Sequence, residues 1–180
     1  MPAISSPLLI LDLDETLIHA RESPLQRPPD FEAGPFAVYQ RPMLREFLAA
    51  VAQQYRLAIW SSASADYVTV IVERMAPPVE LDFVWSRSRC TPRYHLELME
   101  RYWVKDLKKV KRLGFDLSRV LMVDDTPSKL ERNFGNAVYV RPFEGDATDE
   151  ELPRLATYLL SLAECADFRR VEKRGWRSRV

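Results

Sequence analysis

The sequence predicts a doubly wound α/β fold, with a mostly parallel central sheet covered by helices on both faces. Short apolar runs of strand length alternate with segments whose apolar residues recur at helical spacing. The runs lack the polar and apolar alternation of a half-exposed strand, which indicates strands buried on both faces. The 180 residues fit one domain with a sizeable core, so we predict a single domain over residues 1–180.

The predicted elements follow in order along the chain. The five predicted strands are Leu8–Leu11, Arg56–Trp60, Leu81–Trp85, Val120–Val123 and Ala137–Val140. The four predicted helices are Pro42–Val51, Tyr67–Met75, Asp106–Leu113 and about Glu150–Ala163. Pro42 suits a first helical turn, where a backbone N–H has no partner within the helix. Gly114 suits a C-terminal cap, because glycine adopts the left-handed conformation at little cost.

Three further segments show no clear periodicity. Residues 21–35 contain several prolines, so we predict a loop within a flap of about residues 19–40. Residues 87–104 fit a loop or a helix. The basic tail, about residues 166–180, is predicted to be a frayed terminus. We expect no cap domain, because none of these segments is long enough to form one, and therefore an open crevice at the edge of the sheet.

The composition excludes several classes of protein. The chain has 26 basic and 26 acidic residues, and a net charge of zero gives no sign of a polyanionic partner. Two cysteines, Cys90 and Cys165, are too few for a disulfide framework and indicate a reducing compartment. No apolar run is long enough for a membrane span, and the first residues lack the pattern of a secretory signal. We therefore predict a cytoplasmic protein, or a nuclear one if its source has a nucleus.

Two predicted strands end in pairs of acidic residues. The first strand leads into Asp12 and Asp14, and the fourth into Asp124 and Asp125. In open α/β sheets, ligands bind beyond the carboxyl ends of parallel strands, where these acids would meet. A lone Asp-x-Asp pattern is more often a turn cap. The interpretation as a ligand site therefore depends on the second acidic pair. If the strands are neighbours, repulsion among the carboxylates requires a cation, and Mg²⁺ is the natural candidate for oxygen ligands.

Two further residues fit an anion beside that cation. Ser61 follows another predicted strand, and its hydroxyl can bond to a phosphoryl oxygen. Lys105 precedes a predicted helix, and its ammonium can balance the carboxylates or the charge that develops in a transition state. Each alone has an ordinary explanation, since such a serine is usually a helix cap and such a lysine is usually solvated. In this order, together with the acidic pairs, they form one constellation that fits a metal and an anion.

Five motifs together resemble those of the haloacid dehalogenase superfamily. They are Asp12–His19, Arg41–Pro42, Trp60–Ala63, Val104–Leu107 and Val123–Ser128. More narrowly, the chain is similar to the phosphatases of the C-terminal domain of RNA polymerase II, also called the nuclear LIM interactor-interacting factor-like group. The similarity extends through most of the chain. It implies a Rossmann-like haloacid dehalogenase fold and an Mg²⁺-dependent phosphatase that forms an aspartyl-phosphate.

The resemblance also implies roles for individual residues. Asp12 would be the nucleophile, and Asp14 would protonate the departing alcohol and then activate water. Asp12, the backbone carbonyl of Asp14 and one acid of the second pair would hold the metal. We favour Asp125 as that ligand and Asp124 as the partner of Lys105, although the two acids can be exchanged in this assignment.

Substrate contacts are implied for four residues, with one further supporting role. Ser61, Ser62 and Lys105 would surround the phosphoryl group, and Thr16 would support the loop or contact Asp14. Arg87 is similar to an arginine that contacts the substrate in relatives, although a solvated surface charge explains it equally well.

An open crevice favours phosphoserine or phosphothreonine on proteins as substrates. Two alternatives remain, a catalytically idle module that binds partners and a nucleic-acid 3′-phosphatase. Neither the physiological substrate nor the oligomeric state is predicted.

Overall fold

The computed structural model describes residues 6–180. Over this range it contains strands β1 (Leu8–Leu11), β2 (Ile18–Arg21), β3 (Phe31–Ala33), β4 (Phe36–Gln40), β5 (Arg56–Trp60), β6 (Leu81–Trp85), β7 (Thr91–His95), β8 (Glu100–Val104), β9 (Val120–Asp124) and β10 (Ala137–Tyr139). The α-helices of the same range are α1 (Leu44–Val51), α2 (Ala65–Met75), α3 (Lys108–Lys111) and α4 (Glu151–Leu162). No helix within residues 6–180 is both long and apolar enough to cross a membrane.

The centre of the fold is a five-stranded parallel sheet in the order β10-β9-β1-β5-β6. These are the five strands predicted from the apolar runs, and the prediction of a parallel sheet is confirmed. Strand β1 lies in the middle, where Leu11 is level with Ile59 of β5 and Val123 of β9. Because parallel strands end at the same edge of a sheet, the residues that follow β1, β5 and β9 lie close together.

Alternate residues of β1 face opposite sides of the sheet, and each side has its own core. Leu9 and Leu11 pack with apolar residues of α1, α2 and α4 on one side. Leu8 and Ile10 pack with Val110 of α3 and with Trp60 on the other side. Both faces are therefore buried, as predicted for a doubly wound fold. The prediction for Asp106–Leu113 was too long, because only Lys108–Lys111 is α-helical and the flanking residues form turns.

The flap contains a small sheet of its own, and the predicted loop of residues 21–35 is irregular only over residues 22–30, because Phe31–Ala33 forms β3. Strands β2, β4 and β3 form an antiparallel sheet of their own, in that order. Gly34, at φ +58°, makes the tight turn between β3 and β4. The strands are only three to five residues long, too short for a clear periodicity in the sequence. Pairing between distant residues stabilises them instead.

The ambiguous segment 87–104 forms a 3₁₀ turn and a hairpin. The turn covers Arg87–Arg89, and β7 and β8 then pair in antiparallel fashion. The side chain of Trp103 in β8 lies 5.4 Å from the guanidinium of Arg87, measured to the ring centroid. The hairpin is thereby tied to the turn that begins beside the end of β6.

The C-terminal segment is packed, and the prediction of a frayed terminus was wrong. Trp176 is 1% exposed and stacks on Tyr158 of α4 at a centroid distance of 5.5 Å. Its indole N–H donates to the carbonyl of Tyr139, 2.9 Å away. The Lys173 ammonium is also buried and donates to the Phe168 and Val171 carbonyls. The basic composition of the segment gave no sign that Trp176 and Lys173 are buried.

Replacement of Trp176 by Ala is expected to destabilise the fold by about 3–5 kcal/mol, the usual cost of deleting a buried aromatic side chain. Urea unfolding would measure this change. Phe134→Ala is the matched control, because Phe134 is 72% exposed, and exposed substitutions usually change stability by less than about 0.5 kcal/mol. Equal midpoints for the two variants would show that the tail does not contribute to stability.

Candidate functional site

The predicted acidic residues meet at the carboxyl edge of the central sheet. Asp12 follows β1 directly, Asp124 ends β9, and Asp125 comes next. The backbone N–H of Asp12 donates to the carbonyl of Val123 at 3.0 Å, which fixes the first acid beside the second pair. One carboxylate oxygen from each of these three aspartates lies within 4.8 Å of the others. The sheet therefore brings Asp12 of the first pair and both acids of the second pair into one cluster.

Lys105 lies inside this cluster and is fully buried. Its ammonium is 2.7 Å from Oδ1 of Asp12 and 2.6 Å from Oδ2 of Asp124. Burial alone would lower the pKa of Lys105, but the two carboxylates outweigh it and raise the pKa above the ordinary 10.5. The side chain of Asn133 donates to the carbonyl of Lys105 at 2.8 Å and holds the backbone there. Lys105 is thus a charged counter-ion shared by two buried acids.

A second lysine, Lys129, enters the same cluster and was missed by sequence reasoning. Its ammonium lies 3.0 Å from Asp12 Oδ2, 3.6 Å from Asp124 Oδ1 and 3.5 Å from Asp125 Oδ1. Unlike the side chain of Lys105, that of Lys129 is 19% exposed. A signal exists in the sequence, since Lys129 follows Asp125 by four residues and a helical turn brings residues at this spacing together.

The two lysines decide the charge of Asp12. Burial alone would raise the pKa of the Asp12 carboxyl, but Lys105 and Lys129 outweigh burial and lower the pKa below its ordinary value of 3.8. Asp12 is therefore ionised at neutral pH although its side chain is only 1% exposed. A buried and charged carboxylate at a strand end is suited to act as a nucleophile or a metal ligand.

Asp14 has a different environment. Strand β1 ends at Leu11, so Asp14 lies beyond the strand and not within it. Its Oδ1 accepts a hydrogen bond of 2.6 Å from the Tyr67 hydroxyl, and its Oδ2 accepts one of 3.4 Å from Ser61 Oγ. Burial raises the pKa of Asp14 above 3.8 despite the bond from Tyr67. The two acids of the first motif therefore differ in their affinity for a proton.

Replacement of Tyr67 by Phe is expected to raise the pKa of Asp14 further. The Tyr67 hydroxyl donates to the ionised carboxylate, so its removal destabilises the charged form. An NMR titration of the carboxyl carbons in metal-free protein would measure the change. Tyr94→Phe is the matched control, since the Tyr94 hydroxyl is exposed and bonds only to the sulfur of Met99. An unchanged or lowered pKa in Tyr67→Phe would contradict the expectation.

The acidic cluster can hold a divalent cation. Oδ1 of Asp125 is buried and has no hydrogen-bond partner among the described residues. The donor set of Asp12, Asp124 and Asp125 offers only carboxylate oxygens, which hard cations such as Mg²⁺ prefer. The residues present therefore fit the expected metal.

Comparison with known families decides the identity. The model of the family described as NLI interacting factor-like phosphatase matches residues 7–169. The chain belongs to the NLI interacting factor-like phosphatase family. The resemblance drawn from the five motifs is thereby confirmed.

Two curated relatives of this NLI interacting factor-like phosphatase show how much of such proteins it covers. It is 31% identical over 170 residues to a probable C-terminal domain small phosphatase of Dictyostelium discoideum, which covers 91% of this chain and 53% of that protein. It is 30% identical over 188 residues to CTD nuclear envelope phosphatase 1 of Xenopus laevis, which covers 96% of this chain and 73% of that protein. A further Dictyostelium relative, CTD small phosphatase-like protein 2, is 27% identical over 168 residues, which are 89% of this chain. The chain spans 28% and 53% of the lengths of the two Dictyostelium relatives.

Solved structures agree with the fold of this family member. Fcp1, described as an essential RNA polymerase II CTD phosphatase, superposes with a TM-score of 0.66 at 19% identity, over 88% of this chain and 62% of that one. A haloacid dehalogenase-like hydrolase from Xanthomonas campestris superposes with a TM-score of 0.57 at 13% identity, over 89% of this chain and 98% of that one. The predicted haloacid dehalogenase fold is confirmed.

The loop after Asp14 is fixed by a partly buried ion pair that sequence reasoning did not identify. Arg41 is bonded to both carboxylate oxygens of Asp149, at 2.7 and 2.8 Å, and donates to the carbonyl of Thr16 at 3.0 Å. Thr16 Oγ1 is buried without a hydrogen-bond partner in the described part of the chain, so this hydroxyl does not bond to Asp14. The contact of Thr16 with Arg41 is made through its backbone carbonyl.

Three of the four predicted substrate residues, Ser61, Ser62 and Arg87, lie close together after strands β5 and β6 in this family member. Ser61 is buried after β5, and its Oγ accepts the N–H of Ala63 at 3.0 Å. The carbonyl of Ser62 accepts a 2.7 Å bond from Arg87 Nε. The guanidinium of Arg87 lies over the ring of Trp103 and is thus held next to Ser62, although Arg87 is exposed.

Proposed function

We propose that this NLI interacting factor-like phosphatase hydrolyses phosphomonoesters through an aspartyl-phosphate on Asp12. The observation that carries the proposal is the contrast between two neighbouring acids. Two ammonium groups hold Asp12 ionised, whereas burial raises the pKa of Asp14. A reaction that needs one carboxylate as nucleophile and another as proton donor is served by this pair.

In the first step, a carboxylate oxygen of Asp12 attacks phosphorus in line with the ester oxygen. The new bond joins Asp12 to phosphorus, the bond from phosphorus to the ester oxygen breaks, and Asp14 donates its proton to the departing alcohol. In the second step, Asp14 takes a proton from a water molecule that attacks the same phosphorus. Inorganic phosphate leaves, and Asp12 and Asp14 return to their starting states.

The surrounding residues bind and orient the groups that react. Lys105 holds Asp12 in place and supplies positive charge near the phosphoryl oxygens. The Ser61 hydroxyl donates to a phosphoryl oxygen, Ser62 and Arg87 bind the substrate at the rim, and Thr16 supports the loop. Asp12, the carbonyl of Asp14 and Asp125 would hold Mg²⁺, while Asp124 pairs with Lys105. When bound, Mg²⁺ supplies charge that stabilises the phosphoryl oxygens in the transition state.

The proposed substrates are phosphoserine and phosphothreonine in proteins. The names of the curated relatives describe phosphatases of a C-terminal domain and of the nuclear envelope, which supports a protein substrate. The sequence suggests no cap domain that would enclose a small metabolite. A cytoplasmic or nuclear location stays a prediction.

Phosphate release from three substrates would test the proposal. A phosphoserine peptide, p-nitrophenyl phosphate and a 3′-phosphorylated oligonucleotide would each be assayed with Mg²⁺ and with EDTA. We expect turnover of the first two with Mg²⁺ and none with EDTA. Turnover restricted to the oligonucleotide, with a steep salt dependence, would favour a nucleic-acid 3′-phosphatase. Folded protein without turnover on any substrate would favour a partner-binding module.

A further inference from the structure

The ammonium of Lys129 lies where a cation would bind. Its three carboxylate contacts, at 3.0, 3.6 and 3.5 Å, are with Asp12, Asp124 and Asp125, the same three residues that form the acidic cluster. We propose that Lys129 is a resident cation of the metal-free site, and that its side chain leaves when a divalent cation enters. This inference rests on the metal site of the proposed function and concerns how that site is filled.

The two lysines share the carboxylate oxygens between them. Lys105 bonds to Oδ1 of Asp12 and Oδ2 of Asp124, whereas Lys129 faces the other oxygen of each carboxylate. The oxygens left free by Lys105 are therefore those that Lys129 occupies, together with Oδ1 of Asp125. Any cation that binds between Asp12 and Asp125 needs this space, so Lys129 and the metal exclude each other.

The burial of the two side chains separates their roles. Lys105 has no exposed surface, so its removal from the cluster would require the fold to open. Lys129 is 19% exposed and has a flexible four-carbon stem, so its ammonium can reach water by rotation about side-chain bonds. Its backbone can stay in place, because its carbonyl accepts the N–H of Lys105 at 2.8 Å and its N–H donates to Thr126. Only the side chain needs to move.

The charges of the cluster explain why a divalent cation is attracted to it and why Lys129 opposes the binding of that cation. Three carboxylates face two ammonium groups, so the metal-free cluster keeps an excess of negative charge that attracts a divalent cation. Without Lys129, the metal-free carboxylates would repel one another more strongly. Lys129 therefore stabilises the metal-free protein and weakens the apparent affinity for metal, a negative coupling between two cations.

Calorimetric titration with Mg²⁺ and thermal unfolding would test the exchange on the full chain. Lys129→Met removes the charge and keeps most of the side-chain volume. We expect it to bind Mg²⁺ about 10-fold more tightly than the parent protein, within the usual range of coupling between sites. Its melting temperature in EDTA should fall by about 5 °C, and saturating Mg²⁺ should narrow that difference. Unfolding of Lys129→Met in EDTA with refolding on addition of Mg²⁺ would also support the exchange.

Two control variants make the result specific. Lys129→Arg keeps the positive charge, so its melting temperature in EDTA should stay close to that of the parent protein. Lys111→Met removes an exposed lysine of α3 and should change neither measurement. A Lys129→Arg variant as unstable in EDTA as Lys129→Met would overturn the proposal, because the charge would not be what stabilises the cluster.

The affinities distinguish failure of this inference from failure of the proposed function. If the parent protein binds Mg²⁺ and Lys129→Met binds it equally or more weakly, the exchange is wrong while the metal site stands. If neither the parent protein nor Lys129→Met binds Mg²⁺, the metal site of the proposed function is wrong and the exchange is wrong with it.

Discussion

Asp12→Asn is expected to lower kcat by about 10⁴-fold or more, the scale of loss seen when a covalent nucleophile is removed. An amide oxygen is a poor nucleophile, so no aspartyl-phosphate can form at position 12. The substitution also removes the negative charge that faces the ammonium groups of Lys105 and Lys129. Hydrolysis of p-nitrophenyl phosphate with saturating Mg²⁺ would measure the loss.

The matched control is Asp82→Asn. Asp82 pairs with Arg56 at 2.7 Å at the opposite end of the sheet, and the Arg56 side chain is half exposed. A surface ion pair of this kind contributes about 0–1 kcal/mol, so this variant should keep its activity. Mass spectrometry of acid-quenched protein should find phosphate on the peptide containing Asp12 in the parent enzyme only. Near-normal turnover by Asp12→Asn would remove Asp12 from the mechanism.

Lys105→Met is expected to lower both activity and stability. Removal of a positioned charge at a reaction centre typically lowers kcat by about 10²–10³-fold. The free energy of unfolding in EDTA should fall by about 3–5 kcal/mol, because two buried carboxylates lose a partner that lies within 2.7 Å of both. The complete burial of all three groups sets the sign of this change.

The stability loss in Lys105→Met should depend on pH. In the parent protein the pKa of Asp12 lies below 3.8, so its pairing contributes stability above that pH and loses it as the pH falls through the native pKa. The difference between parent and variant should therefore be largest near neutrality and shrink towards acid. Urea unfolding at several pH values would measure it, with Lys111→Met as the control. A constant difference across the range would show that packing, rather than charge, is responsible.

The central sheet and the acidic cluster were predictable because each depends on a short stretch of sequence. The run Leu8–Leu11 is apolar throughout, and Asp12 marks its end. Parallel pairing of β1 with β9 then places Asp12 beside Asp124 whatever the rest of the chain does. Lys105 was found because its motif is compact and lies in a familiar order with the others.

Tyr67 and Lys129 were not predictable in the same way. Tyr67 has helical spacing with apolar residues of α2, which indicates a core position, whereas its hydroxyl bonds to Asp14 across 53 positions. Lys129 looks like an ordinary charge in a turn, and its contact with Asp12 spans 117 positions. Neither contact has a local pattern, since each arises only when distant segments are folded together. The antiparallel sheet of the flap and the packing of Trp176 were not predicted for the same reason.

The C-terminal segment also covers part of one edge of the central sheet. Strand β10 is an edge strand, and an edge with free carbonyl and N–H groups is a template for pairing with another chain. The carbonyl of Tyr139 accepts bonds from Trp176 and from Arg177, so the C-terminal segment blocks this part of the edge. Loss of that cover would leave β10 open to strand exchange between molecules, and polymerisation would then compete with folding in a concentration-dependent way.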